Sequence, residues 1–163
     1  MKEILFRAKA INRNPDREYR TNYKNGDWVY GLITKLYDAV YNSPAEMKNT
    51  DGVSDIEIDC NTIGQFTGLR DKNEVKIFEG DIVRFGNTNY LVFWNGEAFQ
   101  WQIRMYKNGY NFPVYAGQDT GFPAECVTLG WVAAEIPILG TMSTEVIGNI
   151  YDNPELIKEE EPD

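Results

Sequence analysis

Three carboxylates alternate with isoleucines in the segment Asp55-Ile56-Glu57-Ile58-Asp59. Successive side chains of a β-strand point to opposite faces, so a strand here would project all three acidic groups from one face. Carboxylate oxygens are the ligands that hard divalent cations prefer. The segment is therefore a candidate cation site. We favour the competing interpretation, an ordinary solvated strand face, because no second acidic strand is apparent to pair with it.

Other catalytic chemistry has few residues to support it, because the chain contains no histidine. That absence excludes Ser-His-Asp and Cys-His triads, the usual general base near neutral pH and any histidine-containing zinc site. The only serines are Ser43, Ser54 and Ser143, and none lies in a nucleophile-elbow pattern. We therefore expect a protein that is not an enzyme and has no cofactor. A carboxylate-based, metal-dependent enzyme centred on Asp55, Glu57 and Asp59 is an alternative.

Cys60 and Cys126 are the only cysteines, and each stands alone in an apolar stretch without the paired spacing of zinc or redox motifs. A disulfide between them stays open, but two buried free thiols in a reducing cytoplasm are favoured. The N-terminal segment MKEILFRAKAINRN has charges among its apolar residues. No later stretch approaches the ~18 apolar residues of a membrane span. We therefore expect a cytoplasmic protein without a membrane segment.

The formal charge of −9 is distributed unevenly along the 163 residues. Residues 1–24 carry seven basic and three acidic side chains, residues 25–151 carry eight and sixteen, and residues 152–163 carry one and six. Basic residues mixed with aromatic ones, here Tyr19 and Tyr23, can hold single-stranded nucleic acid. They can equally dock on the acidic remainder of the chain or on a neighbouring subunit, which we favour because of the opposite charge. The candidate basic segment consists of Arg7, Lys9, Arg13, Arg17, Arg20 and Lys24.

Three Asn-Gly dipeptides, at positions 25–26, 95–96 and 108–109, stand between aromatic and β-branched residues. Such dipeptides favour two-residue hairpin turns of type I′. For the middle hairpin we expect Val92 opposite Phe99 and Tyr90 opposite Trp101, with Trp94 and Ile103 on the same, buried face. The opposite face is apolar near the turn and polar further along, which favours a strongly curved sheet or a small barrel.

The remaining segments predict further strands and few helices. We expect strands at 4–10, 28–35, 55–62, 80–85, 127–134, 138–142 and 145–150. The spacing of Ser43-Pro44-Ala45-Glu46 is that of a capping box and predicts a short helix to about Asn49. A similar short helix is expected from Asn153-Pro154 to Ile157. The predicted organisation is an N-terminal β-rich region at 1–70, a barrel-like region at 71–151 and an acidic tail at 152–163.

The segment Thr62 to Phe85, TIGQFTGLRDKNEVKIFEGDIVRF, resembles the signature of the YopX family of small phage and prophage proteins. The family pattern is roughly T-V/I-G-Q-Y/F-T-G-L-x-D-K-N-G-x-x-I-Y/F-E-G-D-I-V. Glu74 stands where the family usually has glycine, so a type I′ turn at Asn73-Glu74 would be strained and we expect another type of loop. The matching residues are Thr62, Ile63, Gly64, Gln65, Phe66, Thr67, Gly68, Leu69, Asp71, Lys72, Asn73, Ile77, Phe78, Glu79, Gly80, Asp81, Ile82 and Val83.

The resemblance also covers the segments EILFRAKA, WVYGLI and EVIGNIYDNPELI, and so nearly the whole chain. It implies a mainly β fold, with a small SH3-like β-barrel beginning near Glu79-Gly80-Asp81 and an additional N-terminal β layer. It also implies a phage or prophage origin and a location in the bacterial cytoplasm. Because the family has no established activity, the resemblance names neither a substrate nor a partner.

The functional expectation is a non-enzymatic phage accessory protein that binds another protein or itself. Nucleic-acid binding through the basic segment and acidic mimicry of DNA remain alternatives. The segment Thr62 to Gly68 either links two sheets with Phe66 as a plug or contacts a ligand, and its glycine spacing is neither a P-loop nor a dinucleotide fingerprint. Aromatic side chains could form a binding platform, and Trp28 and Tyr30 are the least committed to a core. The candidate interaction residues are Trp28, Tyr30, Gly64, Gln65, Phe66, Thr67 and Gly68.

Overall fold

The computed structural model describes residues 3–11, 22–36, 44–85, 87–96, 100–107, 110–113 and 144–157. Within these ranges the protein is mainly β, as predicted, and its only helical residues are two 3₁₀ turns at Cys60–Thr62 and Pro154–Ile157. The chain divides into two compact units, Met1–Phe66 and Thr67–Asp163. The strands are β1 (Phe6–Lys9), β2 (Trp28–Lys35), β3 (Ala45–Asn49), β4 (Ile56–Ile58), β5 (Gly64–Arg70), β6 (Lys76–Phe78), β7 (Asp81–Phe85), β8 (Thr88–Asn95), β9 (Gln100–Lys107), β10 (Tyr110–Pro113) and β11 (Glu145–Asn149).

The described strands form two open sheets. One has the order β4-β3-β2-β1-β5-β6 and the other the order β10-β9-β8-β7-β11. Beyond this order, β4 also reaches the residues that follow β1, but only through an isolated bridge between Ala10 and Ile58 and the hydrogen bonds beside it. Because the two edge strands of each sheet do not pair with one another among the described residues, the predicted SH3-like barrel is not confirmed.

Period-two alternation builds the core of the first unit. In β2, Val29 is buried and its neighbour Tyr30 is exposed, as expected for a strand with one face inward. Gly31 continues this strand where it pairs with Asn49 of β3, and a Cβ atom at Gly31 would lie only 1.9 Å from the carbonyl oxygen of Lys48. The buried core residues are Ala8, Ala10, Val29, Ala45, Met47, Ile56 and Ile58.

The short helix predicted from Ser43 to Asn49 is wrong, because residues Ala45–Asn49 form β3. The local capping pattern is overridden by pairing on both sides, with β2 and with β4. Ala45, Met47 and Asn49 are buried and alternate with more exposed residues, which is the period of a strand. One helical turn bonded only to itself is marginal in water, whereas two ladders satisfy the backbone of β3.

The second unit packs β7, β8 and β9 around a core of Ile77, Val83, Tyr90, Val92 and Ile103. The register predicted for its central hairpin is wrong: Val92 lies opposite Ile103 and Trp94 opposite Trp101. A longer connection separates β8 from β9, since Asn95 pairs with Gln100. The shift is an even number of residues, so each side chain keeps its predicted face, but the prediction that Trp94 is buried is wrong, because it is 43% exposed. Phe99 lies outside the described residues.

The other predicted turns have mixed outcomes. Asn25-Gly26 forms a turn in which Asp27 N–H donates to the Lys24 carbonyl, but only Gly26 has a positive φ (89°), which is the pattern of type II and not of type I′. The hairpin predicted at 108–109 is confirmed by its strands, because Tyr110 pairs with Lys107. Those two turn residues and the strands predicted at 127–134 and 138–142 lie outside the described residues.

The C-terminal segment is fastened to β8 and to its own turn. The Asn149 side-chain oxygen accepts hydrogen bonds from the N–H groups of Tyr151 and Asp152, both at 3.0 Å. Asn89 Nδ2 donates to the carbonyl oxygen of Leu156 at 2.8 Å. The short helix predicted after Asn153 is present as the 3₁₀ turn Pro154–Ile157. None of the helical segments in the described ranges is long and apolar enough to cross a membrane.

Candidate functional site

Trp28, Tyr30 and Leu32 form a row of large apolar side chains on the outer face of β2. They alternate with Val29 and Ile33, which pack in the core of the first unit, so the period of two places them on the opposite face. Tyr30 is 40% exposed and Leu32 is 51% exposed, whereas Trp28 is half-buried. We call Trp28, Tyr30 and Leu32 the β2 stripe.

Each residue of the β2 stripe lies directly opposite a basic residue on a neighbouring strand. On β1, Lys9 pairs with Trp28 and Arg7 pairs with Tyr30. On β3, Lys48 pairs with Leu32. Side chains that face one another across a ladder have Cβ atoms about 4.5–5.5 Å apart. The stripe is therefore an apolar row with basic side chains on both of its flanks.

Two of these cations pack on the indole ring of Trp28. The guanidinium carbon of Arg7 lies 4.7 Å from the ring centroid, and Lys9 Nζ lies 5.4 Å from it. Both distances are within the range of cation–π attraction, which contributes roughly 0.5–1 kcal/mol at exposed sites and more when the pair is desolvated. Arg7 is only 6% exposed. These contacts hold Trp28 in place at one end of the stripe.

The described part of the candidate basic segment thus has contacts within its own unit. Arg7 and Lys9 lie on β1 and pack on Trp28. Lys24 is exposed in the turn before β2, where its backbone N–H donates to Asp27 Oδ2 at 2.8 Å. The remaining candidates, Arg13, Arg17 and Arg20, lie outside the described residues. Among the described members, Lys24 is exposed, Lys9 is half-buried and Arg7 is buried.

The candidate segment Gly64 to Gly68 is part of a strand and not a loop. Its residues begin β5, in which Gly64 pairs with Arg7 and Gln65 with Phe6. Gly64, Phe66 and Thr67 are buried, Gln65 is half-buried and Gly68 is exposed with a φ of +88°. In the sheet order β1 separates β5 from β2. The structure therefore does not bring this segment beside the exposed side chains of Tyr30 and Leu32.

The hydroxyl groups of Thr62 and Thr67, both in the stretch Thr62 to Gly68, bond to backbone atoms. Thr62 Oγ1 accepts from the Lys9 N–H and donates to the Asp59 carbonyl, both at 2.8 Å. Thr67 Oγ1 donates to the Ile77 carbonyl at 2.8 Å and accepts from the Leu69 N–H at 3.2 Å. Thr62 ties its turn to β1, and Thr67 ties β5 to β6. These hydrogen bonds give both threonines a structural role in the motif.

Asp71 is a buried carboxylate that organises the second unit, and it is only 5% exposed. Its Oδ1 accepts from the N–H groups of Asn73 and Val75, at 2.7 and 2.9 Å. Its Oδ2 accepts from the Val146 N–H at 2.9 Å. Hydrogen bonds to an ionised acceptor are roughly twice as strong as neutral ones. Asp71 therefore joins the β5–β6 connection to β11.

The three carboxylates of the proposed cation site have separate surroundings. Asp55 has a φ of +60° before β4, and Glu57 lies in the middle of that strand. Asp59 Oδ1 accepts from the N–H and the side-chain Nδ2 of Asn61, both at 3.0 Å, and so caps the 3₁₀ turn. In the part of the chain that the structure describes, no group of three or more Asp, Glu, Cys or His residues could hold a metal ion.

Cys60 begins the 3₁₀ turn as an exposed free cysteine. The prediction that its thiol is buried is wrong. The apolar residues around it point to the core from β4, whereas Cys60 itself lies just after the strand, where the turn faces solvent. Cys126 lies outside the described residues.

The segment Thr62 to Phe85 lies within the part of the chain that matches a family model. The model is described as "YopX protein" and matches residues 15–158 of the chain. That range covers most of the sequence. The chain belongs to the YopX family. The family match confirms the resemblance to the YopX signature that the segment Thr62 to Phe85 shows.

Solved structures also match the YopX protein. It is similar to protein EF1440 from Enterococcus faecalis, with 25% sequence identity and a TM-score of 0.36. The alignment covers 97% of this chain and 100% of that one. No curated protein matches the chain. The comparisons therefore show the family of this YopX protein but indicate no activity for it.

Glu74 occupies the position where the YopX motif usually has glycine, and its φ is +65°. Glu74 N–H donates to the Asp71 carbonyl, and Asp71 N–H donates to the Val75 carbonyl. This is a three-residue hairpin loop in which a type I turn is followed by a left-handed residue. The expectation that a type I′ turn is avoided is confirmed. A side chain in the left-handed region costs about 1–2 kcal/mol, which explains why glycine suits this position.

Sequence reasoning missed two members of the exposed face, Leu32 and Lys48. A signal for Leu32 was available, because it continues the period of two from Trp28 and Tyr30 along a correctly predicted strand. Lys48 had no such signal. Its segment was predicted to be a helix, and only the pairing of β2 with β3 places Lys48 opposite Leu32.

Proposed function

We propose that this YopX protein is a non-enzymatic phage or prophage protein that binds another protein, a second copy of itself included, in the cytoplasm of its bacterial host. The observation that carries the proposal is the exposure of Tyr30 and Leu32 on the outer face of β2. Exposed aromatic and aliphatic side chains on a rigid element supply the buried centre of protein interfaces. The strand is rigid because it is paired on both sides, with β1 and β3.

The uses of the motif residues support the same proposal. Thr62, Thr67 and Asp71 bond to backbone groups of their own unit. Such bonds build a scaffold and leave little of the motif's polar chemistry for a substrate. A motif whose polar groups are used in this way fits a binding protein better than an enzyme. The phage origin rests on the family resemblance.

The proposal extends to an SH3-like arrangement of the second unit. The support is the antiparallel succession of β7, β8, β9 and β10, which begins at the Glu79-Gly80-Asp81 turn. In that turn the Phe78 N–H donates to Asp81 Oδ2 at 2.7 Å, and Gly80 has a φ of +81°. An experimental structure of the whole chain tests this. A barrel closed between β10 and β11 supports it, and a sheet that stays open contradicts it.

A pull-down with tagged protein from prophage-induced cells, together with light scattering of the pure protein, tests the binding function. We expect a specific partner or a dimer, and at least a tenfold loss of the complex in the double variant Tyr30→Thr/Leu32→Thr. Threonine keeps the strand propensity of these positions. The matched control is Val75→Thr, because Val75 is also an exposed apolar residue (46%) but lies in the second unit. A monomer that captures no partner contradicts the proposal.

Nucleic-acid binding is the second candidate, because basic and aromatic side chains lie beside one another on β1 and β2. Two observations favour a protein partner instead. Arg7 is only 6% exposed and so presents little of its guanidinium to a phosphate. The formal charge of −9 repels a nucleic acid, with one negative charge per nucleotide, more strongly than it repels a peptide segment with a few acidic side chains. A mobility-shift assay at low salt separates the two candidates. A shift that Lys9→Glu abolishes supports nucleic-acid binding.

A further inference from the structure

We propose that the β2 stripe binds an extended acidic segment of a partner protein whose apolar side chains stand at every second position. This rests on the proposed function, since it assumes a protein partner, and it specifies the chemistry that the partner must have. The site consists of Tyr30 and Leu32 as apolar contacts and Lys9 and Lys48 as basic side chains, with Arg7 and Lys9 packed on the ring of Trp28 beside them. All six residues belong to the first unit.

The spacing of the stripe favours an extended segment. Every second residue of a strand is about 6.5–7 Å further along, so Tyr30 and Leu32 match two apolar side chains at positions i and i+2 of an extended chain. Neighbouring strands lie about 4.8 Å to each side, which places Lys9 and Lys48 on the two flanks of such a chain. The backbone of β2 is already paired with β1 and β3. The partner therefore lies across the side chains and does not extend the sheet.

The charge of this face calls for acidic groups in the partner. Lys48 is exposed and makes no ion pair with any described residue. Lys9 is half-buried over Trp28. The acidic residues on the same face are Glu46 and Glu57, which lie opposite one another on β3 and β4. Glu46 is 3.6 Å from Lys35 and is thereby offset, so positive charge predominates beside the stripe.

The same geometry favours a peptide over single-stranded nucleic acid. Non-specific single-strand binding uses successive aromatic rings on which bases stack. Here the ring of Trp28 is occupied by Arg7 and Lys9, at 4.7 and 5.4 Å, and Leu32 has no ring. Tyr30 is the one exposed aromatic side chain of the stripe. Leu32 instead suits an aliphatic or aromatic side chain of a protein.

Selection from a random 12-residue peptide display library on the immobilised full-length protein tests the inference without assuming a sequence. We expect enrichment of peptides with net negative charge and apolar residues at alternate positions. Lys48→Glu, selected in parallel, should lose that enrichment. Lys24→Glu is the matched control, because it makes the same charge change at an exposed lysine of the same unit that lies in the turn before β2 and not on a strand beside Tyr30 or Leu32. Thermal melting checks that each variant is folded.

The most enriched peptide, labelled with a fluorophore, is then titrated with each protein by anisotropy. We expect Leu32→Thr and Lys48→Glu to bind at least tenfold more weakly and Lys24→Glu to bind within twofold of the unchanged protein. Replacing the peptide's acidic residues by glutamine, or raising the salt concentration, should weaken binding. These results would support the stripe as the site.

Other outcomes overturn the inference. They are enrichment of neutral or basic peptides, no enrichment at all, unchanged binding by Lys48→Glu, and tighter binding of a 12-nucleotide oligo(dT) than of the peptide. The proposed function fails by a different result, namely a monomeric protein that recovers no partner from cells. A partner that binds equally well to Leu32→Thr and Lys48→Glu leaves the proposed function standing and contradicts the stripe.

Discussion

The carboxylate of Asp71 accepts a hydrogen bond from the backbone N–H of Val146, a residue 75 positions further along the chain. The same carboxylate bonds two N–H groups of its own hairpin. One buried side chain therefore joins a local turn to a distant strand. The second unit depends on this group because it connects elements that nothing in the local sequence brings together.

Replacing Asp71 by alanine is expected to lower the free energy of unfolding by about 2–4 kcal/mol, since it leaves three backbone N–H groups without their charged acceptor in a buried place. Urea unfolding followed by circular dichroism measures the loss. Asp51→Ala is the control, because Asp51 is an exposed carboxylate in a turn. Equal stability of the two variants would show that the Asp71 bonds are dispensable.

Replacing Glu74 by glycine is expected to raise the free energy of unfolding by about 1 kcal/mol, because glycine adopts the φ of +65° without the Cβ penalty. Glu74→Ala separates this effect from loss of the charge, since alanine keeps the Cβ atom. We expect Glu74→Ala to change stability by less than ~0.5 kcal/mol. If both variants were stabilised alike, the cause would be the side chain and not the backbone.

Replacing Gly31 by alanine is expected to disrupt the first unit, because the new Cβ atom would lie 1.9 Å from the Lys48 carbonyl oxygen. Gly52→Ala is the matched variant. Gly52 has a φ of +92° but open space around it, so its replacement should cost only about 1 kcal/mol of backbone strain. Thermal melting compares the two. A Gly31→Ala protein as stable as Gly52→Ala would contradict the close approach of β2 and β3 at Gly31.

The hydrogen bond and the positive charge of Lys72, whose Nζ is 2.6 Å from Glu145 Oε2, lower the pKa of Glu145 below its usual value. A lowered folded-state pKa means that the pair stabilises the fold above the unfolded-state pKa, and that this contribution disappears as pH falls through the folded-state pKa. Lys72→Met should raise the pKa of Glu145 towards its usual value. NMR titration of the Glu145 carboxyl carbon measures it, and an unchanged pKa would show that the pair does not form in solution.

Local sequence patterns correctly predicted those features of a strand that depend only on its own residues, namely its bounds and its buried face. The bounds of β2 follow from its β-branched and aromatic residues, and the buried face of β8 follows from the alternation around Val92. The register of the β8–β9 hairpin did not follow, because a Trp94–Trp101 ring contact at 5.0 Å and a longer connection replace the two-residue turn. A register shift by an even number of residues leaves each side chain on the same face of the sheet. The faces of β8 and β9 were therefore predicted correctly, whereas the residue pairs between them were not.

The candidate site was predicted in part for the same reason. Trp28 and Tyr30 could be placed on the face opposite the core because their strand was identified. Lys48 could not, since a capping pattern at Ser43 is visible in the sequence whereas pairing of β3 with both neighbours is not. The residues that complete an exposed face come from other strands, and their register is set by tertiary contacts.

The position of β11 beside β7 has a consequence for synthesis of the protein on the ribosome. The first unit has all of its strand partners for β1–β4 once Phe66 has emerged, but β7 lacks one neighbour until Glu145–Asn149 has been made. Until then β7, with its buried Ile82 and Val83, is an edge strand, and exposed edges recruit other chains. A nascent or truncated chain that stops before Glu145 is therefore more prone to aggregate than the full-length chain.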